Sequence, residues 1–359
     1  MKKILLFGIP MSICNFRCHY CYLSQREVAY KGIQPHFRFS PEEVARAMTT
    51  ERLGGECFMN FCADGETLLT KNIDQYIKLL VANGHYAEIV TNLTPTKVLE
   101  KILAWDTQLL ERVEFKCSFH YLELKKRKLL SCFVDNVHKI WKAGASANIE
   151  VTPSDELIPY IDELMEFSRH NFGALPQLTI ARNDRTSGIE ILTKLSDEEY
   201  VSTWSQFDSN FWQFKKTLFN VKRAEFCYAG AWSLYINLAT GGLKQCYWGA
   251  EIGNAFSNPD KPLFSFPIGK CKIAHCYNGH ALLSTGLIPS MDTPGYGDLR
   301  DRTKTDGQHW LQPALRDFLN TKLVDSNKEM CSTVKFFAPQ ISAAINYLSY
   351  LKKKLRRIK

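Results

Sequence analysis

The chain has 359 residues, of which 45% are hydrophobic, 23% charged and 12% aromatic, enough length and apolar content for one large domain or two with a real core. That usage excludes disordered, fibrous and disulfide-stapled miniature classes, and no apolar run approaches the roughly 20 residues that span a bilayer. The formal net charge is +8, but the last eight residues carry Lys352, Lys353, Lys354, Arg356, Arg357 and Lys359 with no acid, which leaves +2 for the body, so no nucleic-acid partner is expected.

The start, Met1-Lys2-Lys3 and an apolar run, imitates a secretory signal with Cys14 where a lipoprotein cysteine would stand. A cleavage site wants small residues, whereas Met11 and Ile13 occupy the nearest positions and Pro10 interrupts the run. Export is not expected, and the expected location is cytoplasmic. Twelve cysteines in a reducing compartment then read as metal-binding or catalytic rather than as a disulfide framework.

Short β-like runs alternate with helical periods about every thirty residues, as in βα units. The strand candidates are Ile4–Ile9, Cys57–Cys62, Ala87–Thr91, Val113–Phe119, Ala147–Thr152 and Gln177–Ala181. Ser40-Pro41-Glu42-Glu43 carries an N-cap, a proline at the first helical position and a capping-box glutamate. Ile73, Tyr76, Ile77 and Leu80 keep one helical face, as do Phe133, Val137, Ile140 and Trp141. The fold class is α/β: residues 1–195 form a partial (β/α)6 barrel, with functional loops at the C-terminal ends of its strands. A helical connector, 196–226, follows. Ser233–Leu238, a turn at Gly241-Gly242 and Leu243–Tyr247 form a β-hairpin that opens a smaller domain, 227–285. An irregular loop and a C-terminal helical region with the basic tail complete the chain, 286–359.

The sharpest motif is Cys14-Asn15-Phe16-Arg17-Cys18-His19-Tyr20-Cys21, directly after the first strand. Three thiolates so spaced in one loop can converge on an iron–sulfur cluster and leave one iron open to an exogenous molecule. A zinc knuckle completed by a distant ligand and plain buried thiols are the alternatives. This CxxxCxxC loop, with an aromatic before its third cysteine and a βα array behind it, resembles the radical S-adenosylmethionine (radical SAM) superfamily.

The resemblance implies that Cys14, Cys18 and Cys21 hold a 4Fe-4S cluster whose open iron chelates the amino and carboxylate groups of SAM. Reduction then cleaves the sulfonium to a 5′-deoxyadenosyl radical that abstracts a substrate hydrogen, with Tyr20 beside the adenine. Ala63-Asp64-Gly65-Glu66-Thr67 stands where the family places glycine-glycine-glutamate against the methionine end of SAM. Gly65 and Glu66 match, while Asp64 and Thr67 depart from the family's glycine and proline. Thr91-Asn92 corresponds to a threonine-asparagine-glycine element, with Leu93 in place of the glycine, and Asn92 is the implied contact. Ser118 ends the fourth strand where a polar residue meets SAM, and His120 is expected to face the same side. Arg182 and Asn183 follow the sixth strand as further candidates.

Cys227, Cys246, Cys271 and Cys276 supply four ligands, enough for a tetrahedral zinc site or a fully ligated second 4Fe-4S cluster. The C-x13-G-x4-C spacing of Cys227, Gly241 and Cys246 resembles the auxiliary-cluster domains called SPASM or, shortened, Twitch, and the shortened form is the closer fit. His275 is an alternative ligand. The remaining Cys57, Cys62, Cys117, Cys132 and Cys331 read as small buried hydrophobes. For Cys117 and Cys331 a second reading is return of a hydrogen atom to a radical.

The function expected is oxidation of a small molecule, such as a sugar or cyclitol alcohol, with the auxiliary cluster as electron acceptor and a flavodoxin or ferredoxin as one-electron reductant. A peptide modifier installing a cross-link, thioether or epimer is the alternative, disfavoured because only 13 residues precede Cys14. A non-catalytic iron–sulfur protein is the third reading. In the tail, Ile341, Ile345, Leu348 and Leu355 keep helical spacing. A solvated last helix is expected, and weak contact with an anionic membrane surface is the lesser reading.

Overall fold

The computed structural model describes residues 2–26 and 30–358, without the side chains of Lys353 and of residues 356–358. The strands form at the short, mostly buried runs between the helices. They are β1 (Lys3–Ile9), β2 (Cys57–Ala63), β3 (Tyr86–Thr91), β4 (Val113–Ser118), β5 (Ser146–Val151) and β6 (Gln177–Leu178), then β7 (Phe226–Cys227), β8 (Ser233–Asn237), β9 (Gly242–Lys244), β10 (Gly253–Asn254) and β11 (Gly269–Lys270). Nine of these form one sheet in the order β10-β9-β8-β1-β2-β3-β4-β5-β6, and β11 pairs with β7. From β8 through β1 to β6 every neighbour is parallel. The apolar run that imitates a signal is therefore a strand inside the sheet. The expected sixth strand is cut short. After Thr179, whose amide still donates to the Val151 carbonyl at 2.9 Å, the chain turns away to a bridge between Arg182 and Ile191.

The hairpin forms as read, with Ile236 opposite Leu243 and Gly241 at φ 74°, a left-handed turn position that favours glycine. It does not stand apart from the first half of the chain, because β8 pairs with β1 through Ile4–Ser233 and Phe7–Ile236.

One face of the sheet carries Phe7, Met59, Phe61, Ile89, Phe115 and Ile149, all buried against helices. Among these helices, α1 (Pro41–Ala47) starts at a capping box in which Ser40 and Glu43 exchange bonds of 3.2 and 2.7 Å. The next, α2 (Ile73–Ala82) and α3 (Leu130–Lys142), bury the faces that their periodicity marks, with Trp141 only half-buried.

The opposite face is covered at the N-terminal ends of its strands by α4 (Asn210–Leu218), α5 (Gly279–Ser284), α6 (Tyr296–Arg300) and α7 (Pro313–Asn320). Ile4, Leu6, Phe58 and Tyr86 pack there against Leu282, Leu299 and Phe318, and the Tyr86 and Phe318 rings stack 3.7 Å apart. Above this apolar layer lies a buried ionic one. Arg300 is fully buried and donates to Glu114 at 3.2 Å and to Glu150 at 2.8 Å. Lys116 reaches the same Glu150 oxygen at 3.2 Å, while Tyr296 and Asn60 donate to Glu88. Burial pushes the Glu150 carboxyl up, but Lys116, Arg300 and Lys215 overcome it and hold the group down at about 2.

The last helix, α8 (Ser332–Ile358), is seated by its polar side. Ala338 and Ser342 are buried, and Ser342 and Asn346 donate to the Gln245 side chain at 3.1 and 2.8 Å. The apolar side chains Phe336, Phe337, Ile341, Tyr347, Leu348 and Leu355 point outward. Polar bonds to the 245–251 segment, not apolar burial, seat this helix. Of the six tail cations, the side chains of Lys353, Arg356 and Arg357, and Lys359 as a whole, lie outside the described residues. Among the described residues no helix is long and apolar enough to cross a membrane.

Replacing Arg300 by Met would leave Glu114 buried without its main counter-charge and Glu150 with only Lys116 and Lys215 to oppose its burial, and the expected loss is about 3–5 kcal/mol in urea unfolding. A loss under about 1 kcal/mol would show that the carboxylates do not depend on Arg300.

Candidate active site

The C-terminal ends of the parallel strands open into a cavity of about 510 Å³. The loop after β1 brings Cys14, Cys18 and Cys21 to its wall together, as their spacing predicts. Local bonds shape the loop: the Cys21 amide donates to the Cys18 carbonyl at 3.1 Å, and the Phe16 amide to Cys14 Sγ at 3.4 Å. Buried Phe16 meets the His120 ring edge-on, and the Arg17 guanidinium sits 3.9 Å from the Tyr30 ring. His19 turns away to Glu156 at 2.8 Å.

Burial pushes the Cys14 thiol up to about 11 and raises Cys18 as well, and the nearby Cys21 opposes the ionisation of both. Such a set becomes thiolate only with a cationic centre bound among them. Three soft sulfur donors on one wall, with the fourth side open to the cavity, fit an iron–sulfur cluster. They border an opening rather than a point: among the described residues no three His, Cys, Asp or Glu side chains stand close enough to hold a single metal ion.

Gly65 and Glu66 also reach the wall, and the structure gives both a further task. A Cβ on Gly65 would lie 2.2 Å from the Ile13 carbonyl oxygen, to which the Glu66 amide donates at 2.9 Å. The close approach that requires glycine here is to the cysteine loop itself. The Glu66 carboxylate is buried and accepts from the Leu68 amide at 3.0 Å, the Asn92 amide at 2.7 Å and the Thr91 hydroxyl. Asn92 in turn donates to Asn15 at 2.8 Å, one residue beyond Cys14. Leu93, in the position of the expected glycine, takes the left-handed φ of 60° and buries its side chain.

Tyr20, Ser118 and His120 line the cavity, and Tyr20 Oη lies 2.7 Å from His120 Nδ1. Burial pushes His120 down to about 4, so its ring is neutral at neutral pH. Arg182 also faces the cavity, bonded to Asp184 at 2.8 Å and 3.9 Å from the Tyr22 ring. Asn183 is not on the wall and bonds Glu190 through its backbone.

The cysteines of the second set lie within electrostatic reach of one another. Burial raises Cys227, Cys246 and Cys276, Cys246 to about 11, and each feels charge on other members of the set, Cys271 included. None of the four lines the cavity, but their chain neighbours Tyr247, Trp248 and Tyr277 do. His275 bonds Asn220 at 3.0 Å. All twelve cysteines are free thiols.

Two readings of the leftover cysteines change. Cys117 belongs to the helix-packed face, because strand residues alternate sides, and Cys331 is exposed. Cys62, read as a buried hydrophobe, lies on the cavity wall. The residues missed outright are Glu88, Lys116, Glu150 and Lys215, which also line the cavity. For Glu88, Lys116 and Glu150 the signal was present: charged residues inside apolar strands, as in Val113-Glu114-Phe115-Lys116-Cys117, whereas Lys215 sits in a helix and carries no such mark.

No protein-family model matches the chain, and no curated protein matches it. Solved structures do resemble it in layout. SuiB of Streptococcus suis aligns at a TM-score of 0.46 and 15% identity over 72% of this chain and 65% of SuiB, so the chain spans under two thirds of that protein. The structure of anSMEcpe with bound AdoMet and the Cp18Cys peptide aligns at 0.48 and 15% identity, over 73% and 80% of the two chains. The structure of TYW1 with a lysine-pyruvate adduct bound aligns at 0.37 and 16% identity, over 58% and 72%.

Gly65→Ala tests the contact between the turn and the cysteine loop. The φ of Gly65 is not left-handed, so the clash with Ile13 acts alone. Chemical denaturation of the cluster-free chain is expected to show a loss of about 2 kcal/mol, and a change within about 0.5 kcal/mol would contradict the contact.

Proposed function

We propose that this chain is a radical SAM enzyme that oxidises a small polar molecule. The observation that carries this reading is the convergence of Cys14, Cys18 and Cys21 on one cavity wall, with the Glu66 amide bonded directly to the loop that bears them and Gly65 allowing the close approach. When bound, the cluster and SAM supply a reducing electron to the sulfonium and, from it, a 5′-deoxyadenosyl radical.

The chain's own residues hold, orient and shield. Cys14, Cys18 and Cys21 would ligate the cluster. Glu66 is committed to the Leu68 and Asn92 amides and the Thr91 hydroxyl, so it acts mainly by fixing the wall. Tyr20, with His120 as hydrogen-bond partner, and Ser118 offer an aromatic face and hydroxyls to SAM. Helices α4 to α7 cover the sheet below the cavity with an apolar layer.

The cavity volume and its charged floor support a small polar substrate over a peptide. Cys227, Cys246, Cys271 and Cys276 are assigned to an auxiliary 4Fe-4S cluster, with Tyr247, Trp248 and Tyr277 between it and the substrate. That position suits an electron acceptor, and an external reductant such as flavodoxin or ferredoxin completes the system. Twelve free thiols suit a reducing cytoplasm.

Anaerobically reconstituted protein is expected to hold about eight irons and, once reduced, to form 5′-deoxyadenosine from SAM. No 5′-deoxyadenosine above a cluster-free control would overturn the assignment.

A further inference from the structure

On the cavity floor, away from the cysteine loop, three cations surround one ring. The ammonium groups of Lys116 and Lys215 lie 5.9 and 5.8 Å from the centre of the Phe211 ring, and the Arg300 guanidinium lies 5.0 Å from it. Two of the three have carboxylate partners: Arg300 holds Glu114 and Glu150, and Lys116 shares the Glu150 oxygen that Arg300 already engages. Lys215 differs. Among the described residues it forms no ion pair, and its ammonium donates to the neutral Thr179 hydroxyl. Glu88, the remaining carboxylate nearby, is occupied by Asn60 and Tyr296.

Lys215 is largely covered, and Glu150, already shared by Arg300 and Lys116, is the one carboxylate that pulls on it, so it lacks a partner of its own, which a covered cation in a folded chain normally has. Burial and the neighbouring Lys116, Arg182 and Arg300 push Lys215 down to about 7, against the pull of Glu150. Both Lys116 and Lys215 line the cavity, so the missing negative charge has an open path to them.

We propose that Lys215, flanked by Lys116, is the subsite for an anionic group of the substrate, a carboxylate or a phosphate. The proposal rests on the reading of the cavity as a substrate site and narrows the substrate to a small anion-bearing molecule. Thr179 holds the ammonium in place, and Arg300 stands behind it as a second, paired layer of positive charge.

The test is equilibrium binding of inorganic phosphate and, separately, of malonate to the full chain, with and without the reconstituted cluster. Whichever anion binds should lose affinity by about tenfold or more in Lys215→Met and recover most of it in Lys215→Arg. The stronger of the two identifies the group as phosphate or carboxylate. SAM should not displace it. Three results would overturn the proposal: neither anion binds, Lys215→Met binds as well as the parent while still unfolding cooperatively, or SAM displaces the anion and so claims Lys215 for its own carboxylate. Because anion binding is read without the cluster, failure of the reconstituted protein to cleave SAM would sink the radical reading and leave the subsite standing, whereas loss of anion binding with SAM cleavage intact would do the reverse.

Discussion

The amide of Glu66 donates to the carbonyl of Ile13 across a gap too narrow for any side chain on Gly65. This backbone contact fixes the cysteine loop against the turn that ends β2. From it the other ties follow: the Glu66 carboxylate gathers the amide of Asn92 and the hydroxyl of Thr91, and Asn92 returns to Asn15 in the cysteine loop. The ends of β1, β2 and β3 are thereby joined beside the thiols. Cysteines on an unsupported loop would lose much of their convergence to loop entropy. Here that entropy is lost on folding, before any cluster arrives, which is the condition for a preorganised site.

The second constraint acts on the other half of the cavity. Parallel strands buried on both faces ordinarily read as continuous apolar runs, yet β3, β4 and β5 place Glu88, Glu114, Lys116 and Glu150 on one face. Those charges are retained because α6 carries Arg300 and Tyr296 to them. The result is a layered interior: apolar at the strands' N-terminal ends, ionic in the middle, and open at the C-terminal ends where the thiols stand. Among the described residues, pairing within the ionic layer leaves Lys215 without an ion pair, at the floor of the cavity.

Much of this was legible in the sequence, for physical reasons that differ by element. Strands β1 to β5 could be located because they are short apolar runs spaced between helical periods, and α1 because Ser40 and Glu43 make a local capping box. The cysteine loop was legible because its ligands are close in the chain. What escaped was non-local. Arg300 meets Glu114 and Glu150 from 186 and 150 residues away, and no local pattern announces such a partner. The task of Glu66 was hidden for the same reason, since its acceptor bonds run to β3. In α8 the period of Ile341, Ile345, Leu348 and Leu355 defined a face, but periodicity does not say which face is covered. The polar bonds to Gln245 turned that stripe outward.

The central claim is that the first cysteine loop carries a cluster open to SAM while the second set carries a closed one. Electron paramagnetic resonance of the reduced, reconstituted protein separates the two directly. The account predicts two cluster signals, of which one shifts when SAM is added and disappears when Cys14, Cys18 and Cys21 are all replaced by Ala, while the other persists unchanged. A spectrum in which SAM shifts neither signal, or in which the SAM-sensitive signal survives that replacement, would contradict it.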